Sequence, residues 1–175
     1  MNRVHLLLPL TRMLLCCAQV WLEGLKTNLN TFDVFRLPYA NASRTFIGSE
    51  YPGRVRFFKG KSIETVPRYI SEISAGTAHK CDLWFVDGDH QHGVPLKDLN
   101  NAIASAADGA TIIADDCTHR FPEVKAAWRT LLKTGVIADA FNKTLNLPPP
   151  GGVKGWCVGR YAPKKGRDMQ LLRAR

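Results

Sequence analysis

The sequence predicts a single α/β domain, in which a Rossmann-like, mostly parallel sheet carries helices on both faces. The unbroken apolar run at residues 83–86 is typical of a strand that lies buried on both faces of a sheet, and residues 110–114 are predicted to form a second buried strand. Segments with helical spacing of apolar residues alternate with such runs, which is the order of a parallel sheet with right-handed crossovers. The length of 175 residues, 45% of them hydrophobic and 22% charged, suits one domain with its own core.

The first half of the chain contains five predicted elements. Strands are predicted at residues 29–35 and 55–58, and helices at residues 14–25, 41–50 and 62–74. The helical segments repeat apolar residues every three or four positions. The first of them ends at a polar break that begins at Lys26, and the second ends at the turn formed by Pro52 and Gly53.

The second half alternates in the same way. Strands are predicted at residues 83–86, 110–114 and 155–161, and helices at residues 95–107 and 122–133. A turn at Asp108 and Gly109 separates the first of these helices from the strand that follows it. A proline-rich loop at residues 148–152 precedes the last strand. We therefore divide the chain into an apolar N-terminal helical segment (1–30), the α/β domain (31–161) and a basic C-terminal tail (162–175).

The apolar N-terminal stretch raises the question of a membrane span or a signal peptide. Arg12 lies in its centre, and a charge at the middle of a bilayer costs about 2.5–3.5 kcal/mol, so we expect no transmembrane span. A buried helix in a cytoplasmic protein is the favoured interpretation. A signal-like segment that leads to a secreted or organellar location stays open, because Arg3 and the small residues near Cys17 suit one. Exposed leucines in this stretch would also favour a homodimer.

Charge and cysteine content narrow the function classes. The formal net charge is +9, but much of it lies in the C-terminal tail, and no aromatic residues are interleaved there, so nucleic acid is an unlikely partner. The five cysteines include no C-x-x-C pair, which argues against a zinc ribbon or a redox dithiol. We expect buried, reduced cysteines.

Acidic residues follow the predicted strands, where ligands bind in parallel sheets. They are Asp33, Asp87, Asp89, Asp115 and Asp116, and His90 lies beside them. If the strands at 83–86 and 110–114 are neighbours, their carboxylates converge, and clustered carboxylates are stable with a hard divalent cation such as Mg²⁺, Ca²⁺ or Mn²⁺. The alternative is that these aspartates cap the helices that follow them.

Three of these residues have more specific interpretations. His90, three residues after Asp87, is either a general base or a polar loop residue. Asp33 suits the hydroxyls of a ribose, as in nucleotide-binding α/β folds. Asp87 and Asp89 also form a D-x-D pair, which would suit a metal-dependent glycosyltransferase, although this pattern is short and common.

The sequence resembles the class I S-adenosylmethionine-dependent methyltransferases, and within them methyltransferase family 24, related to the catechol O-methyltransferase group. The resemblance rests on Phe32-Asp33, Tyr51-Pro52-Gly53-Arg54-Val55, Gly60 with Ser62, Phe85-Val86-Asp87-Gly88-Asp89-His90, Asp98-Leu99, Ile112-Ile113-Ala114-Asp115-Asp116 and the closing run from Gly155 to Tyr161. It implies a metal-assisted O-methyltransferase that acts on a small hydroxylated acceptor. S-adenosylmethionine, and Mg²⁺ or another divalent cation, are the implied cofactors.

The resemblance also implies roles for individual residues. Asp33, Ser62 and Asp87 would bind the methyl donor. Asp87, Asp115 and Asp116 would bind the cation, and His90 would be the catalytic base.

Two features depart from the family pattern. The family begins with a strand and a glycine-rich turn roughly 20 residues before Asp33, and the first glycine of this chain is Gly24. We therefore expect the first strand and the cofactor loop to be missing, which leaves a truncated, inactive domain as the alternative function. Lys61 stands where the family often has an acidic residue, so adenine contacts are not assigned.

Overall fold

The structure, a computed structural model, describes the backbone of residues 3–7, 27–147 and 152–163, and the side chains of residues 27–146 and 152–163. Its seven strands in these ranges are β1 (Arg3–Leu7), β2 (Asn28–Asp33), β3 (Val55–Lys59), β4 (Cys81–Val86), β5 (Ala106–Ala114), β6 (Ile137–Leu147) and β7 (Gly152–Tyr161). The helices described are α1 (Pro38–Glu50), α2 (Ser62–Ser74), α3 (Val94–Ser105) and α4 (Pro122–Thr134).

All seven strands form one sheet in the order β3-β2-β1-β4-β5-β7-β6. The first five strands of this order are parallel, and β7 runs antiparallel to both β5 and β6. The carboxyl ends of β2, β1, β4 and β5 therefore lie at the same edge of the sheet. This edge is where the predicted site residues are placed.

Successive side chains of a strand point to opposite faces of the sheet, so apolar residues at even and at odd positions pack on different faces. Phe32 and Trp84 belong to the larger core cluster, against which α2, α3 and α4 pack. Leu29 and Phe85 point to the other face, where Ala40 and Ile47 of α1 form the second cluster. Both faces of the sheet thus carry helices, and the predicted α/β class is confirmed.

The expectation that the first strand is missing is wrong. Residues 3–7 form β1, which pairs in parallel with β2 on one side and β4 on the other. A short apolar run has no periodicity that distinguishes a strand from part of a buried helix. The sequence pattern therefore placed these residues in the apolar N-terminal helical segment. The predicted helix at residues 14–25 and the basic tail from residue 164 lie outside the described residues.

Two further differences concern the C-terminal half. The sequence did not predict β6, whose residues from Asp139 onward are mostly exposed and polar and lack the alternation of a half-buried strand. The prediction of reduced cysteines is wrong for Cys117 and Cys157, which form a disulfide between the end of β5 and β7. Cys81 is free and buried. No helix of the described residues has both the length and the apolar character that crossing a membrane requires.

Candidate functional site

The acidic residues converge because β4 and β5 are direct neighbours. Val86 pairs with Ala114 in the parallel register. The backbone N–H of Asp115 donates to the carbonyl of Val86 over 2.9 Å, which places the residues after the two strands side by side. The condition on which the predicted convergence depended is therefore met.

We call Asp87, His90, Asp115 and Asp116 the acidic cluster. The Nε2 atom of His90 lies 3.6 Å from Oδ1 of Asp87 and 3.4 Å from Oδ2 of Asp116. One ligand atom from each of these three residues lies within 4.8 Å of the other two. The ring of His90 also packs against Phe121, with 4.3 Å between ring centroids. Such a group of donors is close enough to share one cation.

Asp115 is oriented differently from the other two carboxylates. Its Oδ1 accepts a hydrogen bond of 2.8 Å from the backbone N–H of Asp116. Its Oδ2 lies 3.8 Å from the ammonium of Lys154. The tightest group of donors is thus Asp87, His90 and Asp116, whereas the sequence suggested Asp87, Asp115 and Asp116 as the metal ligands. Which of these sets binds a cation stays a prediction.

Lys154 is the member of the site that sequence reasoning missed. It lies on β7, and its Nζ donates to Oδ1 of Asp116 over 3.0 Å. Asp116 itself has a left-handed backbone conformation, with φ of 51°, which is uncommon for a residue other than glycine. Lys154 lies 38 residues after Asp116, and this spacing does not predict the contact. Only the antiparallel return of β7 beside β5 creates it.

Burial and the repulsion between carboxylates raise the pKa values of Asp87 and Asp115, whereas attraction to the carboxylates raises that of His90. Burial raises the pKa of Asp87, with the charge of Asp116 adding to the effect. Burial, followed by the charge of Asp87, raises the pKa of Asp115 to about 6. The pKa of His90 is raised by its contact with Asp87. Burial lowers the pKa of Lys154, but the contact with Asp116 and the charge of Asp115 outweigh it, so the net change is upward.

A cleft of about 370 Å³ opens beside the acidic cluster. Asp33 and Ser62 both line it, as does Phe32. The carboxylate of Asp33 is positioned by the backbone N–H of Phe35, which donates to Oδ1 over 3.0 Å. Gly88 and Asp89 border the cleft and also a small cavity next to Asp87, so the cleft adjoins the acidic cluster. The volume falls in the range of small-molecule sites, about 300–1,000 Å³.

Gly60 contributes to the shape of this cleft. Its φ of 145° lies where side chains are rarely found, and a Cβ there would lie 2.9 Å from Cγ2 of Thr65. Its N–H donates to the carbonyl of Asp33 over 3.0 Å. A side chain at residue 60 would therefore push α2, with Ser62 at its start, away from Asp33.

Asp98 on α3 is buried below the acidic cluster and is not a member of it. It is fully buried, and an interaction with the Ser62 side chain offsets only part of the cost of burying its charge. It lines the small cavity, of about 10 Å³, together with Asp87, His90 and Asp115. Burial raises its pKa to about 7. A group of this kind is protonated at mildly acidic pH and costs stability when it ionises.

Solved structures that this chain resembles in fold include O-methyltransferases. The O-methyltransferase TomG from Streptomyces achromogenes, involved in tomaymycin synthesis and solved with SAM, has a TM-score of 0.65 and 13% identity, over 93% of this chain and 73% of that chain. Rv0187 from MTB, solved with its cofactor, has a TM-score of 0.62 and 20% identity, over 91% of this chain and 72% of that chain. The Bacillus cereus O-methyltransferase, solved with SAH, has a TM-score of 0.62 and 16% identity, over 91% of this chain and 73% of that chain.

These identities are low, so the structural likeness establishes the Rossmann-like methyltransferase fold and leaves the acceptor open. A comparison with curated proteins gave no match. The model of the family described as a methyltransferase domain matches residues 12–117, which is more than half of the chain. On this match, and in agreement with the resemblance seen in the sequence, the chain belongs to the family of class I, S-adenosylmethionine-dependent methyltransferase domains.

Proposed function

We propose that the chain transfers a methyl group from S-adenosylmethionine to an oxygen of a small hydroxylated acceptor, with the assistance of a divalent cation. One observation carries the proposal: the carboxylates of Asp87 and Asp116 and the imidazole of His90 converge beside the cleft that holds Asp33. TomG and the Bacillus cereus enzyme, which share the fold, are O-methyltransferases solved with SAM and SAH.

The cleft fits the nucleoside part of the methyl donor. Asp33 is buried at the end of β2 and has a fixed orientation, and a carboxylate in this place suits the two hydroxyls of a ribose. Ser62, at the start of α2, lines the same cleft and offers a hydroxyl and the N-terminus of a helix. The donor supplies an activated methyl group on a sulfonium. Asp33 and Ser62 would hold it, with the methyl group directed toward the acidic cluster.

The donor set of the acidic cluster fits a hard divalent cation. Asp87 and Asp116 supply carboxylate oxygens, and Asp115 supplies a third carboxylate next to them. The raised pKa values of Asp87 and Asp115 are explained in part by the repulsion between carboxylates that a cation would relieve. A cation held by these residues would lower the pKa of an acceptor hydroxyl.

We assign His90 the role of general base. Its Nε2 atom would accept the hydroxyl proton while the acceptor oxygen forms a bond to the methyl carbon and the carbon–sulfur bond breaks. Asp87 and Asp116, on either side of Nε2, stabilise the imidazolium that results. The same carboxylates explain why the pKa of His90 is raised, which favours retention of the proton.

The test is calorimetric titration of S-adenosylmethionine into the purified protein, with and without Mg²⁺. Asp33→Ala removes the proposed ribose-binding carboxylate, and Asp108→Ala is the matched control, because Asp108 is an exposed aspartate within β5 that does not line the cleft. We expect saturable binding by the natural chain and by the control, and at least about a tenfold loss of affinity in Asp33→Ala, which corresponds to about 1.4 kcal/mol. No binding by a folded protein would contradict the proposal.

Two alternatives are weaker. A truncated, inactive domain is favoured by the absence of glycine from the first 23 residues, but its other support, a missing first strand, is gone. A glycosyltransferase would use both aspartates of the D-x-D pair, whereas Asp89 is exposed and its Oδ1 accepts from the N–H of Gln91 in the turn. A cytoplasmic location and a homodimer stay predictions.

A further inference from the structure

We propose that the ammonium of Lys154 is a built-in competitor for the cation site, so that a divalent cation binds only when Lys154 releases Asp116. This inference rests on the proposed cation site of the acidic cluster. It concerns a residue of this chain that the sequence did not indicate. The consequence is that the affinity for the cation is set by Lys154 as well as by the ligands themselves.

The contacts of Asp116 show why the two cations exclude each other. Nζ of Lys154 lies 3.0 Å from Oδ1 of Asp116, and Nε2 of His90 lies 3.4 Å from Oδ2. Both oxygens of this carboxylate therefore already face a nitrogen. A divalent cation that binds Asp116 would lie a few ångströms from the positive charge of Lys154, and like charges at such distances repel strongly when they are partly buried.

The ammonium also reaches the second carboxylate of the pair. Nζ lies 3.8 Å from Oδ2 of Asp115, so one Lys154 neutralises a site that contains two adjacent carboxylates. The ammonium of Lys154 thus contacts the two carboxylates that a divalent cation would otherwise bind. The Lys154 side chain is 31% exposed and has a flexible four-carbon stem, so it has an open path out of the site.

The backbone of β7 keeps Lys154 at this place. The N–H of Cys117 donates to the carbonyl of Gly155 over 2.9 Å, and the disulfide between Cys117 and Cys157 joins the same two segments. Gly155 allows this close approach, because a Cβ there would lie 2.7 Å from Cγ2 of Thr118. The competitor is therefore tethered, and its effective concentration at the site does not depend on the solution.

The experiment measures Mn²⁺ binding directly, by the loss of the electron paramagnetic resonance signal of free Mn²⁺. The variants are Lys154→Met, which keeps the apolar stem and removes the charge, and Lys154→Arg, which keeps the charge. Lys143→Met is the control, because Lys143 is an exposed lysine on the neighbouring β6. We expect Lys154→Met to bind Mn²⁺ on the order of ten- to a hundredfold more tightly than the natural chain, which is the scale of effects around metal ligands. Lys154→Arg and Lys143→Met should not bind more tightly.

Equal or weaker Mn²⁺ binding by a folded Lys154→Met variant would overturn the inference. If Lys154→Met binds Mn²⁺ and the natural chain does not, the inference stands and the proposed cation assistance fails for the natural chain. If neither the natural chain nor Lys154→Met binds Mn²⁺, this inference and the proposed cation assistance both fail. Donor binding is then still decided separately by the titration with S-adenosylmethionine.

A second measurement on the natural chain does not depend on the folding of any variant. The rate at which an amine-reactive ester labels Lys154 is followed by mass spectrometry, with and without Mn²⁺. We expect Mn²⁺ to raise the labelling rate of Lys154 several-fold and to leave Lys143 unchanged. An unchanged rate at Lys154 under saturating Mn²⁺ would overturn the inference.

Discussion

Replacement of Asp98 by asparagine tests how the buried charge under the acidic cluster affects stability. Asp98 is fully buried on α3, and its interaction with the Ser62 side chain does not offset the cost of burying its charge. Burial raises its pKa from 3.8 to about 7. Between these two pH values the folded protein keeps a proton that the unfolded chain has released, so the free energy of unfolding falls as the pH rises.

The size of this effect follows from the pKa values. Each pKa unit is worth about 1.4 kcal/mol, so the full difference between 3.8 and about 7 corresponds to about 4 kcal/mol once the pH exceeds 7. A little over one third of this loss has already occurred at pH 5, because the unfolded Asp98 is ionised there. Between pH 5 and pH 8 the natural chain should therefore lose about 3 kcal/mol through Asp98 alone. Asp98→Asn has no ionisable group and should lack this component.

The assay is urea unfolding of the natural chain and of Asp98→Asn at pH 5, 6, 7 and 8, followed by tryptophan fluorescence. The difference between the two unfolding free energies should grow in favour of Asp98→Asn by about 3 kcal/mol across this range. A pH-independent offset is expected too, because the asparagine amide is buried without partners. Asp108→Asn, at an exposed aspartate, is the control and should follow the natural chain. A constant difference from pH 5 to pH 8 would refute the reasoning.

Two further predictions concern catalysis and packing. His90→Gln should lower kcat by about 10²- to 10⁴-fold and leave the Kd for S-adenosylmethionine unchanged, because it removes the proposed base and spares the cleft. His92→Gln replaces an exposed loop histidine and should change neither kcat nor Kd in the same assays. Gly159→Ala should destabilise the protein by about 1–3 kcal/mol in urea unfolding, because its Cβ would collide with Ile137 and lie 3.3 Å from Trp128. Gly48→Ala on α1 is its control: the added Cβ has ordinary contact with Phe57 at 3.5 Å and should stabilise the helix by up to about 1 kcal/mol, and a loss there would contradict the packing argument.

The sequence was sufficient for the parts of the fold that depend on local patterns. The apolar run at β4, the short buried segment at the end of β5 and the helical spacing of α2 and α4 marked these elements to within a few residues. Because acidic residues follow the runs directly, the sequence also indicated which side chains meet at the edge of the sheet. The contacts of Asp87, His90 and Asp116 agree with that expectation.

Features that depend on pairing between distant segments were not predictable in this way. The disulfide joins residues 40 apart, and the contact of Lys154 with Asp116 spans 38 residues. Both exist because β7 returns antiparallel to β5, and no local property of either segment encodes that pairing. The first strand was missed for a different reason: five apolar and basic residues give no period, and only its two neighbours in the sheet define it as a strand.

The position of β1 changes how the absence of an early glycine is understood. Leu7 pairs with Phe32 on one side and with Val86 on the other, so β1 ends between the strand that precedes Asp33 and the strand that precedes Asp87. The residues that follow Leu7 in the sequence are leucine, proline and leucine, so the chain has no glycine where the family has one after its first strand. The proposed donor site therefore depends on Asp33 and Ser62, and Asp33→Ala is the variant that separates a donor-binding domain from an inactive one.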